Sequence, residues 1–251
     1  MTELATALEQ RAQPVETKTV LDLIERIRPE VERSLQSAQA AEILTRHYYT
    51  AIRFTPLLMQ CTAESQVAAL LLTAQLRLEP GPLGHVYLIP RKVKGAHEVQ
   101  WMLGYVGIAE LARRGGAVAL RSTVVWDCDE YVRPWENEKG MHWTHVPVES
   151  ETRERSSVLV SWKANGERQA IDVPSERIER ARKASAAHGA SSGPWFTDED
   201  AMWRKTGVRA ARPWLPLSAD LATASTFDGA TVVGVSVEQG EALPVIESGG
   251  E

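Results

Sequence analysis

The chain has 251 residues, 43% of them hydrophobic, and a formal net charge of −5. This length is sufficient for one sizeable domain with a helical appendage and a tail. The two cysteines, Cys61 and Cys128, lie too far apart for a CxxC unit, which excludes a conventional structural zinc module and is typical of the reducing cytoplasm. The segment Met1–Gln13 lacks the apolar block of a secretory signal, and no stretch reaches the ~18 apolar residues of a membrane span. We therefore expect a cytoplasmic protein without membrane contact.

Charge is distributed unevenly along the chain. Residues 217–251 contain six acidic residues and no Lys or Arg, so the remainder carries 28 basic and 27 acidic residues. Two segments are locally basic, Arg91–Arg121 with six basic against two acidic residues and Ser175–Trp214 with eight against five. Local charge therefore matters more than the whole-chain balance when a polyanion partner is considered. The acidic tail, 217–251, is predicted to be largely disordered or loosely docked.

Hydrophobic periodicity predicts helices in the N-terminal part of the chain. Apolar residues recur at helical spacing over Thr17–Gln39, where Pro29 is expected to kink or break the helix. A second helix is predicted over Ala41–Phe54, and a third begins after the N-cap Thr62. We assign residues 1–54 to a helical segment that makes subunit contacts, as a hypothesis.

The pattern then changes to that of strands. His85–Pro90 and Glu98–Gly104 are predicted to form a hairpin with a basic turn, Arg91–His97, and Tyr105–Gly115 a helix that ends in a glycine C-cap. Four further segments read as strands of a four- or five-stranded antiparallel sheet: Ala117–Tyr131, His142–Val148, Ser157–Lys163 and Gln169–Val173. The predicted fold class is therefore α+β, with a small antiparallel sheet and packed helices.

The second basic segment is predicted to contain two helices. Ser175 is the expected N-cap of the first, which is rich in Arg and Lys. A loop, His188–Pro194, precedes the second, which is capped by Thr197 and the acidic residues that follow it and runs to Pro213. A short β-like patch, Ala230–Val237, stands out within the tail.

Several catalytic motifs are absent or weak. Lys205-Thr206 resembles the end of a G-x-x-x-x-G-K-[ST] loop but lacks the glycines and lies in a predicted helix, which excludes an ATP-driven motor. Asp127, Asp129 and Glu130 could serve a metal-dependent nuclease, or they could simply be polar residues that end a strand. His142 and His145 point to opposite faces of a strand, so they do not favour a metal site.

Cationic and aromatic residues occur together in both basic segments. Single-strand binding needs cations that follow the phosphates and flat faces on which unpaired bases stack, each stack contributing ~1–3 kcal/mol. The alternative is that the basic faces are merely solvated and the aromatic rings belong to the core. A non-catalytic RNA-binding or scaffold protein also fits this composition. The aromatic residues concerned are Tyr87, Trp101 and Tyr105 in the first segment and Trp195, Trp203 and Trp214 in the second.

Seven short strings follow one another along the chain in a characteristic order: Thr55–Ser65, Leu78–Pro80, Leu83–Pro90, Gly104–Arg114, Ala181–Ser185, Gly193–Trp195 and Met202–Thr206. Taken together, these strings resemble the motifs of the RecT family of phage single-strand annealing proteins. The resemblance covers roughly 49–216, with Arg77 where the family commonly has glycine and with Gly207 inside a predicted helix.

This resemblance implies a protein that binds single-stranded DNA and anneals complementary strands through a duplex intermediate, without ATP and without enzymatic chemistry. It also implies assembly into rings or helical filaments, with residues 55–216 as the DNA-binding annealing core. No cofactor is expected to be required, and Mg²⁺ is a candidate modulator. A partner exonuclease and a host single-strand-binding protein are candidate partners. Charge, aromatic residues and family motifs coincide at the predicted DNA contacts: Arg91, Lys92, Gln100, Tyr105, Arg113, Arg114, Arg182, Lys183, Ser185, Trp195, Arg204, Lys205, Thr206, Arg209 and Arg212.

Overall fold

The protein divides into two compact units in a computed structural model. The first unit comprises residues 1–80, 88–101 and 230–251, and the second comprises 81–87 and 102–229. The predicted boundary after residue 54 therefore falls inside the first unit. The structure describes residues 20–185, 193–216, 218–230, 232–233 and 245–246. The start of the first predicted helix, most of the loop before Pro194 and most of the acidic tail lie outside these residues.

Three helices form the body of the first unit: α1 (Val20–Leu35), α2 (Ala38–Phe54) and α3 (Ala63–Gln75). Every residue of α3 from Ser65 to Ala74 is buried, and both α1 and α2 pack against it. Pro29 lies within α1 and does not break it, because the buried Ile24, Ile27 and Val31 hold both halves on the same core face. After α3, Arg77 has a left-handed backbone with φ of 49°, which explains why glycine suits this position.

A hairpin of β1 (Val86–Val93) and β2 (Ala96–Leu103) follows, as predicted. Within the first unit, the Trp101 indole N–H donates to Thr73 Oγ1 at 3.0 Å, and the Val99 N–H donates to Ser65 Oγ at 3.1 Å. These bonds fix this part of the hairpin to α3 and place the fully buried Trp101 in the core. Two short strands, β8 (Val232–Val233) and β9 (Val245–Ile246), pair antiparallel in the same unit.

The second unit contains a three-stranded antiparallel sheet rather than the single larger sheet that was predicted. Its order is β3 (Val118–Trp126), β6 (Arg155–Ala164) and β7 (Glu167–Pro174). The predicted strand 117–131 is in fact two strands, because the chain turns at Asp129, whose carboxylate accepts from the Trp126 N–H at 2.9 Å. The remaining strands, β4 (Glu130–Asn137) and β5 (Gly140–Val146), form a separate hairpin.

The described residues of the second unit also form five α-helices: α4 (Tyr105–Arg114), α5 (Ser175–Lys183), α6 (Pro194–Thr197), α7 (Glu199–Ala211) and α8 (Ala219–Phe227). α7 packs against β3 and β6, and Gly207 allows the close approach. A Cβ at Gly207 would overlap Val158 Cγ1 and lie 3.3 Å from Ser122 Oγ. The glycine that interrupts the predicted helix is therefore a packing requirement.

Two N-cap predictions in the second unit need correction. Ser175 is the first residue of α5 and Pro174 its N-cap, and of the predicted caps of α7 it is Asp198, not Thr197, that accepts from the Ala201 N–H at 3.1 Å. The described part of the tail contains a helix that was not predicted, α8, which Ser218 caps and which buries Leu221, Ala224 and Phe227 at regular spacing. The overall α+β class is confirmed. Across the described part of the chain, no helix is both long and apolar enough for a membrane span.

Candidate nucleic-acid interface

A groove of about 350 Å³ lies between α5 and α7 in the second unit. The α5 residues that line it are four positions apart, and the α7 residues follow a spacing of three and four, so one face of each helix forms a wall. We call this feature the α5–α7 groove. Its lining residues are Arg177, Ala181, Ser185, Trp195, Met202, Lys205, Thr206, Arg209 and Ala210.

Lys205 is the most informative cation of the groove. Its side chain is partly buried, and this desolvation lowers its pKa, with a further lowering from the nearby charge of Arg209 that the carboxylate of Asp228 partly offsets. Within the described ranges, no hydrogen bond or ion pair engages its ammonium group. A partly desolvated ammonium without a partner favours an anionic ligand, because a bound anion would offset the loss of hydration.

Arg209 is held in place by the surrounding structure. Its guanidinium donates to the Leu103 carbonyl at 2.6 Å and to Asp228 Oδ2 at 2.6 Å. Arg212 donates to the same carboxylate oxygen at 2.8 Å, and Asp228 Oδ1 accepts from the Leu103 N–H at 3.0 Å. The side chain of Asp228 is only 4% exposed. Asp228 therefore fixes two predicted DNA contacts and joins α8 to the framework of the groove.

Arg182 lies on α5 but is not one of the residues that line the groove. It donates to Glu199 Oε1 at 2.9 Å, lies 3.6 Å from Glu179 Oε1, and its guanidinium carbon lies 5.7 Å from the Trp195 ring centroid. Arg155 also contacts Glu199, at 3.0 Å. Glu199 of α7 is thus paired with α5 through Arg182 and with β6 through Arg155, and the charge of Arg182 is offset by Glu179 and Glu199.

The other predicted contacts of the second unit lie outside the groove lining. Glu110 accepts bonds of 2.9 Å from both Arg113 and Arg114, and the Arg113 bond in particular lowers the pKa of Glu110 to about 2. Tyr105 begins α4 and is 41% exposed. The remaining two are exposed: Lys183 on α5, and Arg204 on α7, which donates to the Asp200 carbonyl.

Three predicted contacts belong to the first unit and lie on the β1–β2 hairpin. Arg91 and Lys92 are exposed, and the Arg91 Nε–H donates to Gln100 Oε1 at 3.0 Å. We call Arg91, Lys92 and Lys94 the hairpin tip. Its cations are solvated, in contrast to Lys205.

Of the fifteen predicted residues, Ser185, Trp195, Lys205, Thr206 and Arg209 line the α5–α7 groove. Arg177 also lines the groove but was not among the residues predicted from the sequence. Its spacing of four and eight residues from Ala181 and Ser185 on a predicted helix could have indicated it. Trp195 and Trp203 are 6% and 3% exposed, so neither presents a free ring face.

The carboxylates near β4 stabilise a loop. The Glu154 N–H donates to Asp127 Oδ1 at 2.9 Å, and the Val148 N–H donates to Asp129 Oδ1 at 2.9 Å. His145 Nε2 lies 2.8 Å from Asp129 Oδ2. Burial raises the pKa of Asp129, but the hydrogen bonds between its carboxylate and Trp126, His145 and Val148 lower this pKa overall. No cluster of three metal-binding side chains occurs among the residues that the structure describes.

Comparison with known proteins gives two matches. The model of the RecT family matches residues 42–237. The protein RecT of Escherichia coli (strain K12) is 32% identical to this chain over 209 residues, which cover 80% of this chain and 76% of that protein.

Proposed function

Because this chain belongs to the RecT family of recombination single-strand annealing proteins, we propose that it binds single-stranded DNA in the α5–α7 groove and anneals complementary strands without ATP. The observation that carries this proposal is the partly buried Lys205, which has no hydrogen bond or ion pair with the described residues and lies in a groove lined by two further cations, Arg177 and Arg209. Such an arrangement suits the phosphates of a nucleic-acid strand.

Contacts to the sugar–phosphate backbone of the DNA leave the base edges available for pairing. Phosphate contacts carry no sequence information, so Watson–Crick pairing with the second strand would supply all the specificity. Stacking in the new duplex yields about 1.4 kcal/mol per step, which is enough to drive annealing without ATP or covalent chemistry. The protein would lower the kinetic barrier by extending the strand and by screening the repulsion between two polyanions.

Assembly into rings or filaments is part of the proposal, with residues 1–54 making subunit contacts. Deleting these residues would expose the buried helix α3, so surface substitutions are the better test. Leu21 and Ile43 are 44% and 40% exposed on α1 and α2. The double substitution Leu21→Glu, Ile43→Glu should reduce the size of DNA-bound assemblies in light scattering while thermal stability is retained. Assemblies of unchanged size would contradict this role of the two surfaces.

The function is tested by mixing two fluorescently labelled complementary oligonucleotides with the purified protein, without nucleotide cofactor, at several salt concentrations. Annealing well above the spontaneous rate is expected. Binding without acceleration would overturn the annealing step, and an absence of binding would overturn the whole proposal. Parallel reactions with Mg²⁺ test its proposed modulation, and an RNA competitor that displaces DNA fully would favour an RNA-binding protein.

A further inference from the structure

Phe196 is a strongly exposed aromatic residue beside the α5–α7 groove. Its exposed fraction is 70%, whereas that of the preceding residue, Trp195, is 6%. Consecutive helical residues point about 100° apart, so α6 can bury Trp195 in the groove wall while it presents Phe196 to solvent. Trp195 itself lines the groove.

The backbone that carries Phe196 is well fixed. The Phe196 N–H donates to the Gly193 carbonyl at 2.8 Å, and the Asp198 N–H donates to the Pro194 carbonyl at 3.0 Å. Pro194 restricts the first residue of α6, and the buried Trp195 anchors its centre. A ligand that contacts the Phe196 ring would therefore meet a surface whose backbone is already ordered.

The groove has cations for phosphates, but the described residues of its lining present no free aromatic face. Trp195 is the aromatic residue of the lining and is almost fully buried. Binding of an unpaired strand generally combines cations with rings on which bases stack. We propose that Phe196 is a stacking site for an unpaired nucleobase of the strand whose phosphates occupy the groove. This inference rests on the proposed function and adds a site that contacts bases.

Exposure alone would not single out Phe196, because isolated exposed apolar residues are common. Trp135, for example, is 50% exposed, but its ring stacks on His142 with centroids 4.9 Å apart. Phe196 differs because it directly follows a residue of the cationic groove.

The test compares Phe196→Ala, Phe196→Leu and Phe196→Tyr with the wild-type protein. Binding to an oligonucleotide that contains 2-aminopurine is measured by fluorescence over a series of salt concentrations. Loss of one stack of 1–3 kcal/mol corresponds to roughly 5- to 150-fold weaker binding for Phe196→Ala. Phe196→Leu should be similarly weak because it lacks a flat ring, whereas Phe196→Tyr should retain most of the affinity. The salt slope should stay unchanged in all three.

Trp135→Ala is the matched control, because Trp135 is an aromatic residue of the second unit that is 50% exposed away from the α5–α7 groove and should not affect affinity. Wild-type affinity of Phe196→Ala would overturn the stacking site while leaving the proposed function intact. A reduced salt slope in that variant would also overturn it, since the defect would then lie in the phosphate contacts. Failure of the wild-type protein to bind DNA would overturn both proposals.

Discussion

The α5–α7 groove and the hairpin tip each contain three cations, but they place them in different surroundings. Arg91 and Lys92 of the hairpin tip are solvent-exposed, whereas Lys205 of the groove is partly buried and Arg209 is fixed by Asp228. A charge that has already lost water gains more from a phosphate than a fully hydrated one does. The comparison teaches that burial and rigidity, more than the number of basic residues, distinguish a candidate binding site from a solvated basic surface.

The largest expected effect is loss of the groove framework on substitution of Asp228. Asp228→Ala leaves Arg209, Arg212 and the Leu103 N–H without their shared acceptor. The free energy of unfolding should fall by about 2–3 kcal/mol in urea denaturation, because the lost bonds involve a buried charge. Asp220→Ala, at an exposed carboxylate of α8, the helix that Asp228 directly follows, is the control. Equal stability of the two variants would show that α8 is not part of the framework.

A smaller effect is expected when the contact between α7 and the sheet is altered. Gly207→Ala should reduce the free energy of unfolding by about 1–3 kcal/mol despite its higher helix propensity, because the new Cβ meets Val158. Val158→Ala should remove this clash, so a double-mutant cycle should show a favourable coupling between the two changes. Simple additivity would contradict the packing explanation.

Replacing single cations compares the two regions directly. Lys205→Ala should weaken single-stranded DNA binding about tenfold, because it removes a partly desolvated charged contact, and should flatten the salt slope by ~0.7. Lys92→Ala at the hairpin tip should weaken binding by less than about fivefold. Fluorescence anisotropy at several salt concentrations measures both quantities. A larger loss at Lys92, or an unchanged slope for Lys205→Ala, would remove α7 from the interface. Arg209→Ala is less informative, because Arg209 also bonds Leu103 and Asp228.

The smallest expected effect is a pH dependence of binding that is specific to the groove. The pKa of Lys205 is lowered from 10.5, so its ammonium deprotonates at a lower pH than that of an exposed lysine. Affinity for DNA should therefore decline with rising pH earlier in the wild-type protein than in Lys205→Arg, whose guanidinium stays charged. Over the same interval the folded state gains stability, because the unfolded chain binds more protons. Identical pH profiles would contradict the proposed contact.

Much of the fold was predictable because local patterns specify it. Helices α1 to α3 follow their apolar periodicity, and the β1–β2 hairpin follows its alternation and its basic turn. The division of the strands into a sheet and a hairpin was not predictable, since it depends on bonds that Asp129 makes with Trp126 and Val148. Helix α8 was not predicted, because the acidic composition of the tail suggested disorder, although Leu221, Ala224 and Phe227 recur at helical spacing.

The candidate site was predictable only in part. Lys205, Thr206 and Arg209 share one face of α7, which their spacing indicates. The pairing of Arg113 and Arg114 with Glu110 was also visible at a spacing of three and four residues. The partners of Asp228 could not be recognised in this way, because one of them, Leu103, is 125 residues away in the sequence. Local charge therefore identified candidate cations, but long-range contacts decide which of them are already paired.

The most direct test of the central claim is lysine footprinting of the protein with and without a single-stranded oligonucleotide. Acetylation rates of Lys205, Lys92 and Lys94 are measured by mass spectrometry at a DNA concentration that saturates binding. We predict strong protection of Lys205 and weaker protection of the two hairpin lysines. An unchanged rate at Lys205, with protection at Lys92 and Lys94, would contradict the assignment of the DNA-binding site to the α5–α7 groove.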